Sequence, residues 1–166
     1  MVRIRSSGPT RRQLEAIYCN NALGTHRRGQ AFISSTSLPS LMADMLEHLR
    51  LEPGMRVLEI GAGTGWNAAL IGHIVGPTGH VLSVDICPGI VKRAQESIGR
   101  WGANNVTIAQ SDAGRDCGDS GPFDRIIVTA NCPEILPHWA DQLAHGGRLV
   151  VPLRDIPGNV GWNNGR

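Results

Sequence analysis

The sequence predicts a single α/β domain built on a parallel, doubly wound sheet, and three observations carry that reading. Short apolar runs alternate with stretches whose apolar residues recur at helical spacing. Glycine and proline punctuate the junctions. One junction, Gly61-Ala62-Gly63-Thr64-Gly65, lies between an apolar run and a helical one, the strand–turn–helix order of a right-handed crossover.

The elements follow in order. Residues 37–50 place Leu41, Met42, Met45, Leu46 and Leu49 on one helical face, with Ser37 at the N-cap and Pro39 in the first turn, and Glu52-Pro53-Gly54 ends them. Residues 56–60 are the first strand, 66–75 its helix, and 76–79 a Gly-Pro-Thr-Gly turn into a second strand at 80–86. A helix runs over 88–101, a third strand over 106–109, a fourth over 123–130, a helix over 135–143 and a fifth strand over 148–153. Helices connecting these strands should cover both faces of the sheet. The domain thus spans 37–153, between a basic segment at 1–36, read as a solvated terminus, and an irregular tail at 154–166.

Composition narrows the function classes. The chain has 166 residues, a net charge of +2, 41% hydrophobic residues and no apolar run that would span a bilayer, so a membrane is not an expected partner. Cys19, Cys87, Cys117 and Cys132 are widely spaced, and Met1-Val2-Arg3-Ile4-Arg5 leads into no apolar signal core, which reads as reduced thiols in a cytoplasmic protein. Arginines at 3, 5, 11, 12, 27 and 28 are the sole feature suited to nucleic acid, and without a basic groove interleaved with aromatics that partner is not expected. His48, His73 and His80 have no paired ligand at i+4, so no metal is expected.

Ligands of open parallel sheets bind outside the carboxyl ends of the strands, where the strand order reverses. The glycine turn at the end of the first strand admits close backbone approach, and the following helix start attracts an anionic group. The third glycine of a dinucleotide fingerprint would fall on Trp66, which argues against a pyrophosphate. Trp66 either flanks a ligand or packs under the sheet. Asp85 ends the second strand twenty residues after Gly65, where a carboxylate accepts hydrogen bonds from both ribose hydroxyls of an adenosine. Asp112, after the third strand, either accepts from an adenine amino group or caps a turn. The fourth strand ends in Thr129-Ala130-Asn131, and Cys132 beyond it reads as a small spacer rather than a nucleophile.

Residues Val57-Leu58-Glu59-Ile60-Gly61-Ala62-Gly63-Thr64-Gly65 resemble the cofactor motif of Rossmann-like methyltransferases that use S-adenosyl-L-methionine. Within that group the chain resembles the protein-L-isoaspartate O-methyltransferases. Phe123-Asp124-Arg125-Ile126-Ile127-Val128-Thr129-Ala130, followed by Pro133-Glu134-Ile135, is similar to their fourth strand and substrate loop. The segment from Gln142-Leu143 through Gly146-Gly147-Arg148-Leu149-Val150 to Pro152 is similar to their QL-x-x-GGRLV-x-P stretch. The narrower marker is Ser37-Leu38-Pro39 followed by Ala43, which resembles the family's S-x-P active-site loop. The likeness covers residues 31–153. The run at 34–42, with Tyr18, Ala22, Leu23 and Thr25, is most similar to the branch found in bacterial ribosomal-peptide clusters of lanthipeptide and FxLD types, whose acceptor is an aspartate in a precursor peptide.

The resemblance implies S-adenosyl-L-methionine as cofactor, held by Glu59, Gly61, Ala62, Gly63, Thr64, Gly65, Asp85, Ile86, Asp112, Ala113 and Thr129. It implies Ser37 as the catalytic residue, donating a hydrogen bond to the incoming carboxylate, with Pro39, Ala130 and Pro133 beside the substrate. The implied product is the methyl ester of an isoaspartyl or aspartyl residue in a protein or peptide, which cyclises to a succinimide. The residues agree with such chemistry. A carboxylate with a pKa of about 4 is already ionised at neutral pH and needs no general base. Placement alone supplies roughly 7–11 kcal/mol.

The family's G-D-G after the third strand reads Ser111-Asp112-Ala113 here, and Leu38 stands between the serine and proline of the loop. Beyond Leu153 the family's last two strands are not legible, so the chain reads as truncated at its C-terminus with the fifth strand an uncovered edge. Two alternatives follow: a methyltransferase for another acceptor, such as tRNA or a small molecule, and an inactive S-adenosylmethionine-binding remnant.

Overall fold

A computed structural model describes residues 10–115, 120–132 and 134–153. Cys117, Pro133 and the tail at 154–166 lie outside the described residues.

The basic N-terminal segment is not simply a solvated terminus. From Arg11 it folds into helix α1 (Arg11–Tyr18) and an antiparallel hairpin of β1 (Gly24–Arg28) and β2 (Ala31–Ser35), which reverses at Gly29 with φ of +61°. Helix α2 (Pro39–Leu49) follows. Pro39 takes the first helical position, which makes Leu38 the N-cap. Ser37 is therefore one residue too early to cap the helix. Asn20 Oδ1 instead accepts the Ser40 N–H at 3.0 Å, so a side chain outside the helix satisfies one of its free amides.

The far end of α2 is also closed from outside. Arg50 adopts a left-handed conformation with φ of +50°, and Arg125 donates to the carbonyls of Leu49 at 2.5 Å and Arg50 at 3.2 Å. A cation here meets both the orphan carbonyls and the negative end of the helix dipole.

The main sheet contains β3 (Arg56–Ile60), β4 (His80–Asp85), β5 (Val106–Gln110), β6 (Phe123–Val128) and β7 (Leu143–Val150) in the order β5-β4-β3-β6-β7. Every neighbouring pair is parallel. The order runs outward one way from β3 to β5 and then restarts on the other side with β6. The switch point therefore lies between β3 and β6, as the glycine turn requires.

Helices α3 (Trp66–Val75) and α4 (Pro88–Trp101) join α2 on one face. Val57, Val81, Ile108 and Ile127 point into that layer and are buried with Met45, Leu49, Ile71, Val75, Ala94 and Ile98. Alternate residues Leu58, Ile60, Val84, Ile126 and Val128 face the opposite layer with Phe123, Cys132 and Trp139. The helix expected over 135–143 supplies this side and is short, since α5 spans Pro137–Asp141. Strand pairing overrides helical periodicity here, because Leu143 already pairs with Phe123. The next pair is Arg125 with Arg148, so residues 144–147 loop out, turning at Gly146 with φ of +75°. The fifth strand consequently begins earlier than 148 and ends at Val150, with an isolated bridge from Cys132 to Leu153 beyond it.

Replacing Arg125 with methionine should lower the unfolding free energy by about 1–2 kcal/mol, since two helix-end carbonyls lose a charged donor. Urea titration should show a lower midpoint with an unchanged slope.

Candidate functional site

The turn after β3 is shaped by backbone conformation. Gly61, Gly63 and Gly65 have φ of +107°, +53° and +79°, a region that side chains disfavour. At Gly61 the limit is also steric, because a Cβ would lie 2.8 Å from both the Ala130 nitrogen and Thr129 Oγ1. The turn is held from two sides. Val84 O accepts the Gly61 and Ala62 N–H groups at 2.8 and 3.1 Å, and Thr129 Oγ1 donates to Gly61 O at 2.7 Å.

Beneath the turn lies a buried acid. Glu59 is 1% exposed, and it accepts hydrogen bonds from Asn67 Nδ2 at 2.7 Å and Ser83 Oγ at 2.5 Å. Burial pushes its carboxyl up to about 7, partly countered by those two donors and reinforced by the charge of Asp85. Asn67, 8% exposed, has an Oδ1 with no hydrogen-bond partner among the described residues. Asp85 stands at the end of β4. Its Oδ1 accepts the Cys87 N–H at 3.0 Å and its Oδ2 the Gly63 N–H at 3.4 Å, which leaves acceptor sites open on both oxygens.

The loop after β5 answers the loss of two glycines. Among the described residues Arg50 is the one non-glycine with positive φ, so Ser111 and Ala113 fit without strain. Ser111 N–H donates to Asp85 O at 3.1 Å, and Asp112 Oδ1 accepts the Gly114 N–H at 3.0 Å. Asp112 is thus a turn cap, and it also lines the cavity described next. The loop is clamped from α5, where Trp139 Nε1 and His138 Nε2 both meet Ala113 O at 2.8 Å.

Two connected cavities open over the switch point. One, about 300 Å³, is lined by Ile60, Val84, Asp112, Ala113, Val128, Leu136 and Trp139. The other, about 530 Å³, is lined by Ser34, Ser35, Thr36, Ser37, Glu59, Ala62, Gly63, Thr64, Asn67 and Thr129. Gly61, Asp85, Ile86, Ala130 and Asn131 line both, so together they form one bent cleft. Gly65 and Pro39 are not in its wall; Gly65 is the N-cap of α3 and Pro39 opens α2. Trp66 is 49% exposed at the rim, edge-to-face with Trp101 at 5.6 Å, and does not pack under the sheet. Cys132 is buried, its thiol donating to Glu134 O. No group of three or more His, Cys, Asp or Glu among the described residues is placed to hold a metal. No helix among them is long and apolar enough to cross a membrane.

Sequence reasoning missed Asn67, Ser83, His138 and Trp139. Ser83 had a legible signal: a polar residue inside an apolar strand, directly opposite Glu59 in the register. The clamp residues had none, because their partner is a main-chain carbonyl 25 or 26 residues away.

A family model described as protein-L-isoaspartate(D-aspartate) O-methyltransferase matches residues 10–159. The chain belongs to that family. It is 44% identical over 117 residues to the protein-L-isoaspartate O-methyltransferase of Pyrococcus horikoshii, an alignment covering 70% of this chain and 52% of the relative. The chain spans about half the length of the curated relatives it matches. A solved protein-L-isoaspartate O-methyltransferase superposes with a TM-score of 0.79 at 37% identity, covering 90% of this chain and 46% of that one. A Plasmodium falciparum structure titled as a protein of this family in complex with S-adenosyl-L-homocysteine gives a TM-score of 0.71 at 22% identity, covering 83% and 68% of the two chains. The architecture is that of Rossmann-like methyltransferases.

The raised Glu59 carboxyl sets a pH dependence. The folded chain holds this proton up to about pH 7, whereas the unfolded chain releases it near 4.5, so the folded state binds more protons between those values. Stability should therefore fall as pH rises through that window, by on the order of 3 kcal/mol. Urea unfolding at pH 5 and pH 8 should show this loss in the native chain and little of it in Glu59→Gln.

Proposed function

We propose that the bent cleft binds S-adenosyl-L-methionine and an isoaspartyl or aspartyl residue of a protein or peptide, and that the chain methylates the free carboxyl of that residue, the α-carboxyl of an isoaspartyl or the β-carboxyl of an aspartyl. Family membership supports the reading. The observation that carries it is that Ser34, Ser35, Thr36 and Ser37 line the same cavity as the glycine turn, Glu59 and Asp85. Cofactor groups and acceptor groups then meet in one space.

The residues present fit the cofactor. Asp85 keeps free acceptor sites for the two ribose hydroxyls. The smaller cavity offers apolar walls from Ile60, Val84, Ala113 and Val128 for a base, with Asp112 at its edge to accept from an amino group. At the other end the unpartnered Asn67 Oδ1 and the buried Glu59 suit an ammonium group. Ala62, Gly63, Thr64 and Thr129 shape the backbone cradle between them, Gly65 starts the helix behind it, and Ile86 covers the opening.

When bound, the cofactor supplies a methyl group on a sulfonium, which requires only an ionised nucleophile in line. The chain's own task is then placement. Ser37, released from capping α2, donates its hydroxyl to the acceptor carboxylate. Pro39 fixes the loop at the start of α2, and Ala130 borders the acceptor. Trp66 and Asn131 restrict water at the rim. The methyl ester leaves as product, and attack by the next backbone nitrogen expels methanol and closes a succinimide. A cytoplasmic setting accords with Cys87 and Cys132, which are free thiols.

Methyl transfer to an isoaspartyl peptide, measured beside its aspartyl isomer, tests the proposal. Ser37→Ala should reduce kcat roughly a hundredfold, as loss of one preorganised donor does, with cofactor affinity unchanged. Asp85→Asn should do the reverse, raising the cofactor Kd at least about tenfold. Calorimetry showing no heat with S-adenosylmethionine would refute the reading.

A further inference from the structure

Beside the bent cleft, α4 and the hairpin border a smaller pocket of about 200 Å³ whose arginines the methyl-transfer reading leaves unused. Arg93, Ser97 and Arg100 face it from α4, Thr25 and His26 from β1, and Thr64 from the glycine turn. Arg93 donates to Gly89 O and to His26 Nε2, each at 3.2 Å, and Arg100 donates to Ser97 Oγ at 3.3 Å. A guanidinium has five N–H donors and no acceptor. Among the described residues most of the ten are therefore unspent. Among the described residues neither arginine has a carboxylate within 4.0 Å, although Glu96 is in the lining.

The Ser97 hydroxyl donates to Arg93 O at 3.0 Å and the Thr25 hydroxyl to Ser34 Oγ at 3.2 Å, so the guanidinium groups are what the pocket offers, and two forked cations are a donor set for an oxyanion. The pocket's position says which one. It shares Ser34, Gly63, Thr64 and Ile90 with the larger cavity of the cleft, so a group seated in it lies beside the acceptor hydroxyls.

We propose that this pocket binds a carboxylate or phosphate borne by the acceptor polypeptide, so that the chain selects isoaspartyl or aspartyl residues with an acidic neighbour. The proposal rests on the methyl-transfer reading for its acceptor. The oxyanion comes from the polypeptide rather than from free solution, because only a tethered group gains from the shared wall with the cleft.

The test uses pairs of isoaspartyl peptides that differ only in glutamate or glutamine at one flanking position, scanned along both flanks, with S-adenosylhomocysteine present. At the fitting position the glutamate peptide should bind the native chain about fivefold more tightly by calorimetry, as a partly exposed charge pair allows. The double variant R93Q/R100Q should lose that preference and bind the glutamine peptide as before, while R93K/R100K should keep part of it. Millimolar inorganic phosphate should weaken only the glutamate peptide. Equal affinities at every position, or a preference that survives R93Q/R100Q, would overturn the proposal. Phosphate acting alike on both peptides would make the pocket a free-anion site and also overturn it. Methyl transfer to the same peptides separates the two readings: an arginine-dependent preference without turnover keeps the pocket and sinks the activity, and turnover without preference does the opposite.

Discussion

The site depends on how closely the turn after β3 approaches the end of β6. Ile60 O accepts the N–H groups of Thr129 and Ala130 at 2.8 and 3.1 Å, and Thr129 Oγ1 closes onto Gly61 O. These bonds continue the β3–β6 pairing one step past the strands and lock the two sides of the switch point together. The absence of a side chain at Gly61 follows from that closeness, since a methyl group there would have to displace main chain rather than a flexible neighbour. With the lower edge fixed, the crevice can only open upward, and the cleft forms where the strand order reverses.

The second constraint is electrostatic. Glu59 sits in the middle of an apolar strand, and a well-packed aliphatic residue would be the more stable occupant. Its two neutral donors do not offset the burial, as the upward displacement of its carboxyl shows. Asp85 lies close enough to add to that displacement. Two acids and an Asn67 Oδ1 without a hydrogen-bond partner among the described residues border one cavity and make an acceptor-rich wall, and a cationic ligand, by favouring the ionised form of Glu59, is what would relieve it. The cost in folding stability and the affinity for a cation thus have one origin.

The parallel sheet, its helices and the strand-end positions of Gly61, Asp85, Asp112 and Thr129 were legible in the sequence because they follow local periods and turn chemistry. What was not legible depends on partners distant in the chain. Ser37 has the right chemistry for an N-cap, but Pro39 fixes the helix start one residue later and Asn20 takes the capping role. The helix read over 135–143 loses its last residues to pairing between Leu143 and Phe123. The hairpin at 24–35 hid behind its arginines, although Gly29-Gln30 between two short runs is a turn signal. A run of basic residues has the composition of a solvated terminus, whereas His26 and Arg27 stand in a strand.

The loop at 111–115 shows how one physical solution replaces another. Glycines flanking an acid permit a tight turn by conformational freedom, and that freedom must be lost when the turn is formed. Ser111 and Ala113 dispense with it. Their conformations are ordinary, and order comes from outside, through the Ser111 amide on Asp85 O and the two aromatic N–H groups on Ala113 O. The arrangement also links the cleft to the thinly covered face of the sheet. Trp139 fills the core against Phe123, Cys132 and Val128 and, through its indole N–H, fixes the wall of the smaller cavity. One side chain thereby joins the packing of a short helix to the shape of a binding site, so disturbance of either is felt by the other.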